Sequence, residues 1–154
     1  MARYNKYGFA YDQLIAEDLA LPNATNLAAT NTVTLNAHGT GMLKVVVCAS
    51  SVTNEMTSAA TLRITPLFGT TAATCVNRAM GTIELKEGDI TLNNTAGSAT
   101  TKDVPADSTW LSGVLMTEFY IAPRLCSTYK YMDINLACSA DESADKVEIY
   151  LVVE

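Results

Sequence analysis

The sequence predicts an all-β protein: a jelly-roll-like antiparallel β-sandwich with an N-terminal arm or short helix in front of it. Three observations carry that expectation. Apolar residues recur at every second position in several stretches separated by polar, turn-rich segments. β-Branched residues are abundant, threonine alone making up about one residue in eight. After Pro22 no stretch keeps a helical period for more than about three turns.

Residues 1–30 form an N-terminal arm set apart from the sandwich of 31–154, within a single domain overall. Tyr4, Tyr7, Phe9 and Tyr11 crowd its start, and "DQLIAEDLAL" follows. Asp12 would cap a short helix carrying Leu14, Ile15 and Leu19 and ended by Pro22; an extended arm fits equally well. Either way, so large an apolar load at a chain end needs a surface to rest on. Tyr4, Tyr7, Phe9, Tyr11, Leu14, Ile15 and Leu19 are therefore the candidate interface with a neighbouring subunit.

Strands are expected at 31–36, 42–49, 60–68, 79–86, 89–92, 111–121, 130–138 and 146–153. Pro66 cannot donate to a ladder, so its strand should lie at an edge or bulge there. The stretch 93–109, rich in Asn, Thr, Ser and Ala, reads as a surface loop. The last two strands alternate cleanly. Met132, Ile134, Leu136 and Cys138 point one way, and Val147, Ile149, Leu151 and Val153 repeat the pattern after the polar "SADESADK". They read as a final hairpin that carries no chemistry of its own.

At 154 residues and 16.5 kDa the chain can bury a sizeable core, and 49% hydrophobic against 17% charged residues argues against disorder. A net charge of −6, with ten scattered Lys and Arg, opposes binding to nucleic acid. No segment approaches the roughly 20 apolar residues needed to span a bilayer, so no membrane partner is expected, and the start lacks the apolar run of a signal peptide. The four cysteines, Cys48, Cys75, Cys126 and Cys138, form no CxxC pair and have no flanking histidine. They are expected to be reduced and to behave as small hydrophobic residues. The sequons at Asn23 and Asn93 matter only in a glycosylating compartment.

No catalytic, metal or cofactor-binding residue is expected. His38, the single histidine, sits in "NAHGTGM" and reads as a solvated turn residue rather than a base. One histidine also excludes the multi-histidine metal centre of many jelly-roll enzymes. Asp141, Glu142 and Asp145 lack the alternating spacing that wraps carboxylates around calcium and read as a hairpin tip. "GTG" at 39–41 is followed by no GK[ST], so it is not a phosphate loop, and Glu17–Asp18 is too local for an acid/base couple. Trp110, Tyr120, Tyr129 and Tyr131 would make a sugar-stacking platform if they shared a face, although such aromatics more often pack cores or subunit contacts.

The order of segments, "DQLIAEDLAL", then "ATNTVTLN", then "LKVVVCASSVTNEMTSAATLRITPLFGT", then "TEFYIAPRLCSTYKYMDINLACSADESADKVEIYLVVE", resembles the jelly-roll capsid cement (decoration) proteins of tailed bacteriophages. Ile121, Ala122, Pro123, Leu125, Tyr131 and Met132 stand where that family has its closing "IPxxLPxRYLRLxY"-like strand. The aromatic stretch 1–11 is additional to the pattern, and the final loop lacks the expected glycine. The resemblance implies a non-enzymatic structural protein without cofactors, made in the host cytoplasm and carried on the outer capsid surface of the virion. There it would bridge major capsid protein subunits and stabilise the shell, self-associating as a homodimer on a two-fold position or alternatively as a trimer. The reading from another class is a carbohydrate- or receptor-binding β-sandwich module.

Overall fold

The computed structural model describes residues 3–4, 10–22, 24–38, 41–51, 61–86, 115–139 and 142–154. Two antiparallel sheets face each other. The first takes β3 (Gln13–Leu21), β11 (Glu142–Val153), β6 (Leu43–Ser51) and β9 (Leu115–Tyr120), in the order β3-β11-β6-β9. The second runs β4 (Ala24–Ala28), β10 (Tyr131–Cys138), β7 (Thr61–Gly69) and β8 (Ile83–Lys86), with the short β5 (Val33–Thr34) beside β4 on the same edge of β10. A separate pair, β1 (Arg3–Tyr4) and β2 (Ala10–Tyr11), lies outside both. The protein is an all-β sandwich.

Alternation decides which side chains meet between the sheets. Leu43, Val45 and Val47 of β6 and Val147, Ile149 and Leu151 of β11 are buried from one side. Leu62, Ile64 and Phe68 of β7 and Met132, Ile134, Leu136 and Cys138 of β10 are buried from the other, all in one cluster. Each such side chain contributes about 1.5–3 kcal/mol over its exposed state.

β10 and β11 do not form the expected hairpin. No pairing joins them: β10 sits between β7 and the β4–β5 edge of one sheet, and β11 between β3 and β6 of the other. The chain crosses from sheet to sheet between Cys138 and Glu142, so the two apolar rows face each other across the core. Alternation reports which face a strand buries, not its neighbour, and a short polar connection serves either geometry.

The segment expected to be an arm or helix supplies strands to both sheets, β3 to one and β4 to the other, so no boundary at residue 30 separates an arm from the sandwich. Asp12 caps no helix. Its amide donates to the Leu151 carbonyl at 2.8 Å and its Oδ2 accepts the Val153 amide at 2.8 Å, pinning the start of β3 to the end of β11.

Among the described residues the expected strand at 31–36 shortens to Val33–Thr34 and that at 79–86 to Ile83–Lys86. Those at 42–49, 60–68 and 130–138 hold within two residues at each end, whereas 146–153 extends back to Glu142. The expected strand at 89–92 and the loop at 93–109 lie outside the described residues, as do 111–114 of the strand expected at 111–121.

β7 is neither an edge strand nor bulged at Pro66, contrary to the expectation from the sequence: it lies between β10 and β8 and keeps its register with β10 through Pro66. β8 pairs with Thr61–Ile64 only, and the same edge of β7 resumes at Phe68, whose amide donates to the Asn77 carbonyl at 2.8 Å. Pro66, two residues before Phe68, falls in the gap, where no donor is needed. A Cβ on Gly69 would lie 2.5 Å from the Thr74 carbonyl oxygen, so glycine permits the following turn to fold back this closely.

One helix was not expected. α1 (Pro123–Thr128) joins β9 to β10, with a proline in its first turn and Leu125 buried beneath it. At six residues it is too short to show a period.

Candidate interaction surfaces

The outward faces of the two sheets differ in kind. The β4-β10-β7-β8 sheet presents Arg63, Asp133 and Asn135. Arg63 Nε pairs with Glu84 Oε2 at 3.0 Å, and Asn135 Nδ2 donates to Asn26 Oδ1. The β3-β11-β6-β9 sheet carries Val46, Cys48, Tyr150 and Val152 on its outward side, together with Glu148. Tyr150 and Glu148 are buried although they point away from the core, Glu148 with 1% exposure. The Tyr150 hydroxyl donates to Glu148 Oε2, which gives a buried carboxylate one of the partners it needs. The Tyr11 ring lies over Tyr150 with centroids 4.9 Å apart. The N-terminal segment thus adds a partial third layer to this sheet.

Beside that layer is a cavity of about 200 Å³ lined by Val46, Cys48, Tyr150, Val152 and Ala10, with Lys44 and Glu118 at its rim. The Lys44 ammonium lies 2.5 Å from Glu154 Oε1 and 3.4 Å from Glu118 Oε2, and 5.7 Å from the centre of the Tyr120 ring. The Tyr120 hydroxyl donates to the other Glu154 oxygen at 2.5 Å. The hydrogen bond from Lys44, then that from Tyr120, holds the Glu154 carboxyl below its usual range. The bond to Glu154 in turn raises Lys44 and Tyr120. Burial, then the nearby Glu148, pushes the Cys48 thiol up to about 11. A thiol so raised is protonated at neutral pH and is a poor nucleophile. The cavity is large enough to take up a side chain or a small group.

The residues assigned to the interface separate. Tyr4 is 70% exposed. Tyr11 is half-buried on Tyr150, Leu14 is half-buried opposite Tyr150, and Leu19 is half-buried against the core. Ile15 is corrected outright: it is fully buried in the core cluster and offers nothing to a partner. Tyr7 and Phe9 lie outside the described residues. The exposed apolar residues not anticipated are Met42 at 41% and Val76 at 76%. Met42 lines a shallow cavity of about 230 Å³ with Leu35, Ile121, Pro123 and Cys126 at one end of the sandwich. Burial inside a strand and exposure at its first turn both read as "apolar", so the sequence gives no sign of Met42.

The three described tyrosines of the expected sugar platform do not share a face. Tyr120 faces outward from one sheet and Tyr131 from the other, while Tyr129 packs on Phe68 with centroids 5.6 Å apart. Trp110 lies outside the described residues. His38 is half-buried rather than solvated, its Nε2 shielded and without a hydrogen-bond partner among the described residues. Glu142 and Asp145 fall within β11 rather than at a hairpin tip; Asp141, the Asn23 and Asn93 sequons and Gly39–Thr40 are outside the described residues. Among the described residues no group of three His, Cys, Asp or Glu could hold a metal, and no helix is long and apolar enough to cross a membrane. All four cysteines are free thiols, Cys126 the least buried.

The chain matches no protein-family model, no curated protein and no solved structure.

Proposed function

We propose that this chain is a non-enzymatic capsid cement or decoration protein of a tailed bacteriophage. It binds the outer surface of the shell, bridges major capsid protein subunits and stabilises them, as a homodimer on a two-fold position or alternatively as a trimer. It is made in the host cytoplasm and carried on the virion.

The observation that carries this reading is the strand order. Counting β3, β4, β6, β7, β8, β9, β10 and β11 as one to eight, one sheet runs 1-8-3-6 and the other 2-7-4-5. That order supports a jelly roll, two Greek keys wound into facing sheets, the form implied by the resemblance of segments 12–21, 29–36, 43–70 and 117–154. A fold hosts many functions, so the shell itself has to be tested. A ligand that binds only the assembled lattice stabilises it by mass action, by about 2.7 kcal/mol at a hundredfold excess over Kd. Purified protein added to capsids that lack it should co-sediment with them and raise their melting temperature with increasing concentration. Unchanged melting without co-sedimentation removes the reading.

A further inference from the structure

We propose that the cavity on the outward face of the β3-β11-β6-β9 sheet is a docking slot for a partner protein segment that carries an apolar or aromatic side chain next to an arginine or lysine. The inference deepens the reading above and rests on it for who the partner is; the chemistry of the slot stands on the residues.

Size comes first. A cavity of about 150 Å³ lined by aliphatic and aromatic side chains accepts benzene, and this one holds about 200 Å³ between Val46, Val152, Cys48 and Tyr150. It is open at one side, so a side chain can enter from outside the sheet. Its floor offers no ionised group at neutral pH, since the Cys48 thiol stays protonated. An apolar group is what fits.

Charge decides what stands beside that group. Two carboxylates, Glu118 and Glu154, share the single Lys44 ammonium at 3.4 and 2.5 Å. The rim therefore keeps one net negative charge. Glu118 lines the opening and its side chain is 46% exposed, so its free oxygen can accept a further donor. A basic residue adjacent to the inserted side chain completes that set; an acidic one is repelled. The neighbouring Tyr120, 46% exposed, offers its ring to an arginine plane.

The test uses small probes on the intact protein. Phenethylamine combines an aromatic ring with an ammonium group, phenylacetate the same ring with a carboxylate. At the ligand efficiency of small fragments, phenethylamine should bind with a Kd of roughly 1–10 mM. Methyl NMR should report it at Val46 and Val152. Phenylacetate should bind at least about tenfold more weakly, the difference that 1.4 kcal/mol makes. Glu118→Gln should narrow that ratio without moving the melting temperature, and Val46→Phe should fill the slot and abolish both titrations. Equal binding of the two probes, or no methyl shift at about 20 mM, overturns the proposal. So does concentration-dependent self-association that Val46→Phe removes, because the occupant is then a second copy. Capsid co-sedimentation is read separately, so failure of the slot leaves capsid attachment standing.

Discussion

The Tyr11 ring rests on the Tyr150 ring, centroids 4.9 Å apart and planes tilted by 40°. Tyr150 belongs to a central strand and points away from the core, so the contact ties the N-terminal segment to the outside of its own sandwich. Removing residues 1–11 takes away this contact and leaves β3 to β11 in place. An aromatic pair contributes about 0.5–1.5 kcal/mol beyond the area it buries, and 1 kcal/mol is about 2–4 °C of melting temperature in a domain of this size. The truncated protein should keep its far-ultraviolet circular dichroism and melt lower by about 1–6 °C. Outright unfolding would make the segment part of the core.

Asp18 is the only described non-glycine residue with positive φ, at 47°. It lies where β3 bulges: from Leu19 to Ala16 the strand advances three residues while β11 advances two, from Val147 to Ile149. Left-handed backbone is tolerable for Asp and costly for a β-branched residue. Asp18→Val should be less stable than Asp18→Gly by about 1–3 kcal/mol in urea unfolding. Comparing these two cancels the loss of the carboxylate, common to both. Equal stabilities would mean that the bulge relaxes when the side chain is changed.

The same bulges explain what was legible and what was not. β10 alternates without interruption, and its inward face could be read residue by residue. β6 and β7 alternate over 43–47 and 61–64 but bury neighbours beyond, Cys48 after Val47 and Thr65 and Pro66 after Ile64. β3 carries a second extra residue, since Ile149 faces Ala16 while the next residue, Tyr150, faces Leu14. Ile15 and Ala16 are consequently both buried, and a strand with consecutive buried positions looks like a helix or an apolar arm. The candidate site was hidden for a different reason. Its floor is the outward row Val46, Cys48, Tyr150 and Val152, and nothing in a central apolar strand says that its second face will also be covered.

Cys48 gives a pH dependence with a definite sign. Burial, then Glu148, raises its pKa from 9.0 to about 11, so above pH 9 the unfolded chain loses a proton that the folded chain retains. The folded state therefore binds more protons, and stability falls as pH rises through this window. At pH 11 the loss from this group is about 2 kcal/mol. Cys48→Ala should cost stability at pH 7 through lost packing yet show a shallower decline between pH 9 and 11. Parallel stability curves for the two proteins would remove Cys48 as the cause. In the native protein at pH 8, Cys126, the least buried, should react with iodoacetamide first and Cys48 last.

Tyr4 and Ile15 separate contact from core. Both belong to one apolar N-terminal segment, yet Tyr4 is 70% exposed and Ile15 not at all. Ile15→Ala leaves a cavity between the sheets and should destabilise the isolated protein by about 2–5 kcal/mol. Tyr4→Ala removes a side chain bathed in solvent, so its unfolding free energy should stay within about 0.5 kcal/mol of the parent. If Tyr4 anchors the protein on the shell, the same change should weaken co-sedimentation with capsids by about 2 kcal/mol, roughly 30-fold in Kd. The two readouts must therefore move independently: stability with Ile15, attachment with Tyr4. A Tyr4→Ala protein that binds capsids as tightly as the parent takes this residue out of the interface. The remaining candidates are then two other exposed apolar residues near one end of the first sheet, Met42, which directly precedes β6, and Tyr120, which pairs with Lys44 from β9.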